Sequence, residues 1–285
     1  MTGPNFSLAE EAPARSYLFV PADRPDKFAK ALASGADAVI LDLEDGVAPE
    51  RKSSAREHLA HWLSADHPVY MRVNDPRTEW FRDDLALCRN AGILGIVLPK
   101  SQEIEELAAL DEACRDKPIL PLIESAQGFA NVAALARHRG VQRLIFGPLD
   151  LQLDLGIQDE EAELLYFRSH LVLASRLAGL QPPVDGVTTD IHNTAAVLAQ
   201  AKAARRLGFG GKLCIHPNQV DAANAAFSPT KDEIVWAERV MEAWQRAAGG
   251  VALLDGKMVD RPIARRAESI LMTVRLMNSK LPRHS

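Results

Sequence analysis

A (β/α)8 barrel with a C-terminal helical extension is the fold class that the sequence predicts, and three observations carry it. Short apolar runs alternate with helical patterns from Ser16 to Phe227, giving eight successive units. The runs are continuously apolar rather than alternating in polarity, as strands covered on both faces require. The connections are short, and no GxGxxG follows the first run, which argues against the alternative of an open doubly wound sheet.

Residues 1–15 read as a polar tail. Ser16 to Pro21 (SYLFVP) is the first strand, and Pro25 opens a helix that Gly35 ends. Asp37 to Asp42 is the second strand, followed by a helix over Pro49 to Leu63; Pro68 to Asn74 is the third, followed by a helix over Trp80 to Ala91. Gly95 to Pro99 and Ile119 to Ile123 are the fourth and fifth strands, with helices over Ile104 to Cys114 and Phe129 to Ala136. Gln142 to Phe146 is the sixth, after which Leu164, Phe167, Leu171 and Ala174 keep helical spacing. Pro183 to Val187 and Gly211 to Ile215 complete the count, with helices over Thr194 to Leu207 and from Pro217 towards Phe227.

The expected barrel therefore spans residues 16–228 and an extension spans 229–285. In the extension, Thr230 to Ala248 is an amphipathic helix broken by Gly249-Gly250. Ala252 to Pro262 reads as a loop or a hairpin, and Ile263 to Met277 as a terminal helix.

Composition narrows the function classes. Lys and Arg total 33 against 38 Asp and Glu, a net charge of −5 without a basic patch, so nucleic acid is not an expected partner. Cys88, Cys114 and Cys214 are widely spaced, without a CxxC, which fits core thiols in a reducing compartment. The acidic N-terminal stretch lacks the features of a signal peptide, and no apolar run approaches membrane-span length. A cytoplasmic location is the expectation.

In such barrels function sits at the C-terminal ends of the strands. That rim carries Asp23 and Arg24, Asp42, Glu44 and Asp45, Arg72 and Asn74, Lys100, Glu124, Asp150, Asp190 and His216. Many carboxylates with few cations, above an apolar interior, suit a metal and an anionic ligand. Glu124 and Asp150 follow the fifth and sixth strands, side by side in a closed sheet. They offer hard oxygen donors with no Cys or His nearby, a set that suits Mg²⁺. Taken alone, Glu124 also reads as a helix N-cap neighbour and Asp150 as a loop acid.

The runs SYLFVPADRPDKFAKAL, GADAVILDLEDGVAPERK, VYMRVND, LPLIESAQG, FGPLDLQLDLG and LCIHPNQV resemble the citrate lyase β-subunit (CitE-like) family of the HpcH/HpaI aldolase superfamily, close to malyl-CoA and citramalyl-CoA lyases. The resemblance implies a Mg²⁺-dependent carbon–carbon lyase, a homotrimer or hexamer, that splits a short 3-hydroxyacyl-CoA into an acyl-CoA and a 2-oxo acid. It implies Glu124 and Asp150 as metal ligands and Arg72 as the holder of the oxo-acid. Glu44 and Asp45 fall beside the metal, and Arg24, Lys30 and Lys100 on the CoA and substrate side. Gly256 to Pro262 resembles a closing segment whose aspartate, here Asp260, acts from a neighbouring subunit; a helix N-cap is the other reading of Asp260.

The chain departs from the family beside Asp150, where Gly147-Pro148-Leu149-Asp150 stands for GAED, and at Thr188-Thr189 and His192-Asn193. Those departures bear on the substrate more than on the reaction class. The alternatives are a 2-keto-acid aldolase acting without CoA, either through a metal or through a Schiff base on Lys100, and a non-catalytic barrel. An ion pair with Glu44 or Glu124 is a further reading of Arg72.

Overall fold

The computed structural model describes residues 12–115, 117–159, 162–248 and 250–279. Much of the expected tail, and Gly249 of the expected helix break, lie outside those residues. Residues 14–227 form one compact unit, and the described residues from 228 to 279 form the body of a second.

The first unit is a closed barrel of eight parallel strands in sequence order, β8 pairing back onto β1. Its strands are β1 (Ser16–Pro21), β2 (Ala38–Asp42), β3 (Val69–Arg72), β4 (Ile93–Leu98), β5 (Ile119–Ile123), β6 (Ile145–Phe146), β7 (Val184–Asp185) and β8 (Gly211–Cys214). Around them run α1 (Phe28–Leu32), α2 (Lys52–Trp62), α3 (Phe81–Asp84), α4 (Ile104–Ala113), α5 (Ala126–Ala136), α6 (Pro148–Leu155), α7 (Leu165–Leu177), α8 (Thr194–Leu207) and α9 (Val220–Phe227).

Strand residues alternate between two cores. Tyr17, Ile40, Val97, Leu122, Ile145 and Leu213 fill the barrel interior. Their neighbours Leu18, Leu41, Ile96, Ile123 and Cys214 face the helices, beside Leu59, Phe129 and Leu171. This double burial is why the strands read as unbroken apolar runs.

The differences from the expected elements have local causes. In place of one helix from Trp80 to Ala91 there is the short α3 and a 3-10 turn, Leu85–Leu87. Asp84 is drawn inward, where its Oδ2 accepts the backbone N–H and the side-chain amide of Asn74, both at 2.7 Å. Gly92 then lies against the backbone of Ser64, and β4 begins at Ile93 rather than Gly95. Helix α5 begins at Ala126 rather than Phe129 because Ser125 caps it, accepting the Gly128 N–H at 3.1 Å. Helix α6 was not expected at all. Its sequence, PLDLQLDL, alternates like a strand, and Leu153 is left 83% exposed; the helix signals are Pro148 at the first turn and Gly156 at φ 69° after the last. Strands β6 and β7 are each two residues, shorter than the apolar runs that announced them.

In the second unit, α10 (Lys231–Arg246) starts with a capping box, Thr230 with Glu233. The segment expected as a loop or hairpin is a hairpin of β9 (Ala252–Leu254) and β10 (Lys257–Val259), antiparallel. Its turn, Asp255-Gly256, has both φ angles positive, 50° and 73°, as the tightest hairpin turns demand. The terminal helix α11 (Arg261–Ser279) packs with α10 around Ala237, Val240, Val259 and Ala267.

Candidate active site

Asp42 and Arg72 are the last residues of adjacent strands and stand opposite each other in the β2–β3 register. Arg72 donates from Nε to Asp42 Oδ1 at 2.6 Å and from Nη2 to Oδ2 at 2.7 Å. The same carboxylate accepts the Glu44 and Gly46 amides, each at 2.9 Å, which curls the loop after β2 over the rim. A Cβ on Gly46 would fall 2.5 Å from Asp42 Oδ2, so only glycine fits that curl. Burial favours the neutral Asp42 carboxyl, but the Arg72 charge and hydrogen bonds, with the two amides, outweigh it and hold the group below the usual carboxylate range. Arg72 also lies over the Phe19 ring, 4.6 Å from its centre.

Arg72 Nη1 approaches Glu44 Oε2 at 3.0 Å without the alignment of a hydrogen bond, and that oxygen is buried and otherwise unpartnered. Glu44 Oε1 accepts from Lys100 Nζ at 2.6 Å. Burial raises the Glu44 carboxyl, and the two cations recover only part of that shift. Burial lowers the Lys100 ammonium, yet Glu44 more than compensates and the amine stays well above its ordinary value.

Lys100 adopts a left-handed backbone, φ 48°, just beyond β4. That turn aims its amide at Glu124, which accepts it at Oε1 at 2.7 Å, while the side chain reaches Glu44. The Lys100 carbonyl is tied down in turn by Arg77 Nη2 at 3.2 Å. One residue thus links the ends of β2, β4 and β5, and a strained backbone is what allows it.

Glu124, just past β5, is 4% exposed. Burial first, then the Asp150 and Glu44 charges, push its carboxyl well above the usual value. Gly147 presses against it: a Cβ there would lie 2.5 Å from both the Cβ and the Oε2 of Glu124. Asp150 lies in the first turn of α6, partly exposed. Among the described residues no group of three or more His, Cys, Asp and Glu is arranged to hold a metal. Two carboxylates, one of them buried at a cost until a cation joins it, nevertheless fit a hard divalent ion that keeps several waters or ligand oxygens. Arg72 beside them can grip a small carboxylate or carbonyl oxygen in two-point fashion.

Other expected residues are elsewhere engaged. Arg24 is exposed and forked onto Asp26, at 2.9 and 2.8 Å, and Lys30 is exposed on α1. Asp45 is exposed, with one oxygen 3.6 Å from Lys100 Nζ. Asp190 accepts the His192 amide at 2.9 Å, and His216 Nδ1 accepts the Asn218 amide at 3.2 Å; both are local turn contacts. In the second unit Asp260 caps α11, accepting the Ile263 amide at 3.2 Å. Sequence reading missed the pairing of Arg72 with Asp42. The expected third strand ran on to Asn74, and only the β2–β3 register puts Asp42 and Arg72 level. Sequence reading also missed Arg77 and Gly147, which make sense only once the rim is assembled.

Known proteins match this chain over nearly its whole length. The sequence pattern of the HpcH/HpaI aldolase/citrate lyase family matches residues 15–217. A (3S)-malyl-CoA thioesterase of Cereibacter sphaeroides is 36% identical over 264 residues, 89% of this chain and 92% of that protein. The citrate lyase subunit beta of Escherichia coli is 35% identical over 287 residues, 92% and 93% of the two chains. The CitE protein of Mycobacterium tuberculosis, crystallised with magnesium, acetoacetate and coenzyme A, superposes with a TM-score of 0.81 at 33% identity, covering 93% of this chain and 98% of that one. No described helix is long and apolar enough to cross a membrane. The eight-stranded barrel and these matches agree: the chain belongs to the HpcH/HpaI aldolase/citrate lyase family and is a lyase-type enzyme.

Proposed function

We propose that the protein is a Mg²⁺-dependent carbon–carbon lyase that cleaves a short 3-hydroxyacyl-CoA, of the citryl-, malyl- or citramalyl-CoA type, into an acyl-CoA and a 2-oxo acid. The observation that carries the proposal is the buried Glu124 carboxylate beside Asp150, with the Arg72 guanidinium across the same rim. The similarity to a CitE crystallised with magnesium, acetoacetate and coenzyme A supports it.

Glu124 and Asp150 would hold the metal. Mg²⁺, when bound, supplies Lewis-acid polarisation of the substrate's hydroxyl and nascent carbonyl oxygens. Arg72 keeps fixed positive charge where the oxo-acid's oxygens collect, and Asp42 holds it oriented and charged. In the reaction the bond between the acyl α-carbon and the hydroxyl-bearing carbon breaks. The hydroxyl loses its proton and becomes the carbonyl of the oxo acid, and the α-carbon gains a proton. Exposed Asp45, and Asp260 reaching in from a neighbouring subunit of a homotrimer or hexamer, are the proposed proton carriers. Arg24 and Lys30 would meet the CoA phosphates, a phosphate displacing Asp26 from Arg24. The Schiff-base reading loses support, because Glu44 holds the Lys100 amine in its protonated, non-nucleophilic form.

One second reading has its own support: hydrolysis of the same thioester at the same site, favoured by the similarity to (3S)-malyl-CoA thioesterases. Incubation with malyl-, citramalyl- and citryl-CoA and Mg²⁺ separates the two. A lyase releases a 2-oxo acid, trapped as its hydrazone, and no free thiol. A thioesterase releases CoA thiol and no oxo acid. No consumption of any of the three would overturn both.

A further inference from the structure

Lys52, at the start of α2, is 5% exposed and lies outside the ring of side chains described above. Its ammonium uses all three hydrogens on a single structure, the junction between the ends of β2 and β3. Nζ donates to the Leu43 carbonyl at 2.7 Å, the Glu44 carbonyl at 2.7 Å and Asn74 Oδ1 at 2.6 Å. It lies 5.2 Å from the centre of the Trp80 ring. None of its bonds goes to a carboxylate, although the charges of Asp42, Glu44, Asp84 and Asp45 all act on it. An ammonium with three donors and no carboxylate partner is serving as a tie between backbone carbonyls.

The loop it ties is the one that carries Glu44 and Asp45. Asp42 holds that loop by its amides, those of Glu44 and Gly46. Lys52 holds it by its carbonyls, those of Leu43 and Glu44. Asn74 extends the tie: its amide donates to Asp84 Oδ2, and Asp84 Oδ1 accepts from Arg56 Nη1 at 3.3 Å. A chain Arg56–Asp84–Asn74–Lys52, buried from Asp84 inward, therefore ends on the Glu44 carbonyl, one residue's length from the carboxylate that meets both Arg72 and Lys100. Burial pushes the Lys52 ammonium down, so the fold accepts a desolvation cost to keep this tie.

We infer that Lys52 is a positioning residue for the reaction: through the Leu43 and Glu44 carbonyls it fixes the height at which Glu44 engages Arg72 and Lys100. The inference rests on the proposed function for its link to turnover, but not for the loop it fixes. Supporting groups that orient a metal or substrate site commonly alter activity by about 10–100-fold when removed.

The test is Lys52→Met, which keeps the stem and removes the ammonium, beside Lys52→Arg, which restores a cation. Two readouts are taken on the full-length protein. Hydrogen exchange by mass spectrometry follows the peptide across Leu43–Val47, with peptides of β5 and α8 as internal references. Steady-state kinetics with a 3-hydroxyacyl-CoA and Mg²⁺ follows kcat and KM. The expected result is protection lost in the Leu43–Val47 peptide alone, kcat lower by roughly 10–100-fold with KM little changed, and partial recovery of both in Lys52→Arg. Wild-type exchange across Leu43–Val47 in Lys52→Met overturns the inference, as does protection lost equally in all peptides, which makes Lys52 a general stability element. A loss carried by KM alone overturns it too. Should wild-type protein turn over no hydroxyacyl-CoA, the proposed function fails while the exchange readout still decides the role of Lys52.

Discussion

Asp42 and Arg72 end adjacent strands and meet as a two-point ion pair, Nε to Oδ1 at 2.6 Å and Nη2 to Oδ2 at 2.7 Å. This pair organises the rim. It leaves the outer edge of the guanidinium beside Glu44, and it makes Asp42 the anchor of the loop that carries Glu44 and Asp45. Because Asp42 is buried and Arg72 largely so, removing one strands the other. Asp42→Ala is expected to destabilise the protein by about 3–5 kcal/mol in urea unfolding. Arg72→Lys keeps a charge but loses the fork, so it should lower kcat/KM by roughly 10²–10³-fold. Turnover of Arg72→Lys within a few-fold of wild type would remove Arg72 from the oxo-acid's binding.

Lys100 contributes separately through its backbone and its side chain. Lys100→Gly and Lys100→Ala both lose the ammonium on Glu44, but only glycine adopts a φ near 48° without strain. The glycine variant should be the more stable of the two by about 1 kcal/mol and keep more of the metal response, since the amide still reaches Glu124. Borohydride with a 2-oxo acid should leave wild-type activity intact. Covalent trapping on Lys100 would instead restore the Schiff-base mechanism.

Gly147 has no room for a side chain, because a Cβ would come within 2.5 Å of Glu124 Cβ. Gly147→Ala should displace Glu124, costing about 1–3 kcal/mol of stability and weakening the thermal shift produced by Mg²⁺. An unchanged Mg²⁺-induced shift in this variant would show that Glu124 is not where the ion is felt.

The two buried acids respond to pH in opposite senses. Asp42 is held below its ordinary 3.8, so its contribution is present above that value and lost as pH falls through the depressed one. Glu124 is raised well above 4.5, so metal-free protein is most stabilised by it below 4.5 and loses that contribution as pH rises through the raised value. Glu124→Gln removes the second dependence. In chelator, its melting temperature should exceed that of wild type by a margin that grows with pH. In Mg²⁺, wild type should gain and the variant should not. A margin independent of pH would contradict the assignment of Glu124 as the strained carboxylate.

The barrel was legible because β1 to β6 are largely apolar on both faces, a pattern that only doubly covered strands need; β7 and β8 instead bury a charged pair, Asp185 with Lys212. The Glu124 carboxylate was legible for a related reason: a charge directly after an apolar run must fall on the rim, whereas Asp150 lies further on, in the first turn of α6. What escaped was whatever depends on three dimensions at once. Lys52 looks like one more surface lysine at a helix start, and only the curl of the Leu43-Glu44 loop above it makes it a tie. Arg72 could be read with Glu44, but not with Asp42, until the β2–β3 register put them level. Helix α6 hid behind its alternating leucines, and the short α3 behind the inward pull on Asp84. Arg24 was read as open to a phosphate because Asp26, two residues on, gave no sign in sequence of folding back onto it.

The proposed carbon–carbon cleavage depends on Glu124 and Asp150 holding one Mg²⁺. Its most direct test is Mg²⁺-dependent release of a 2-oxo acid from the preferred hydroxyacyl-CoA by wild type, Glu124→Ala and Asp150→Ala, with circular dichroism confirming that each is folded. The expected result is release by wild type that EDTA abolishes and Mg²⁺ restores, with both folded variants near background at any Mg²⁺ concentration. Wild-type release by folded Glu124→Ala, or wild-type release in EDTA, would contradict it.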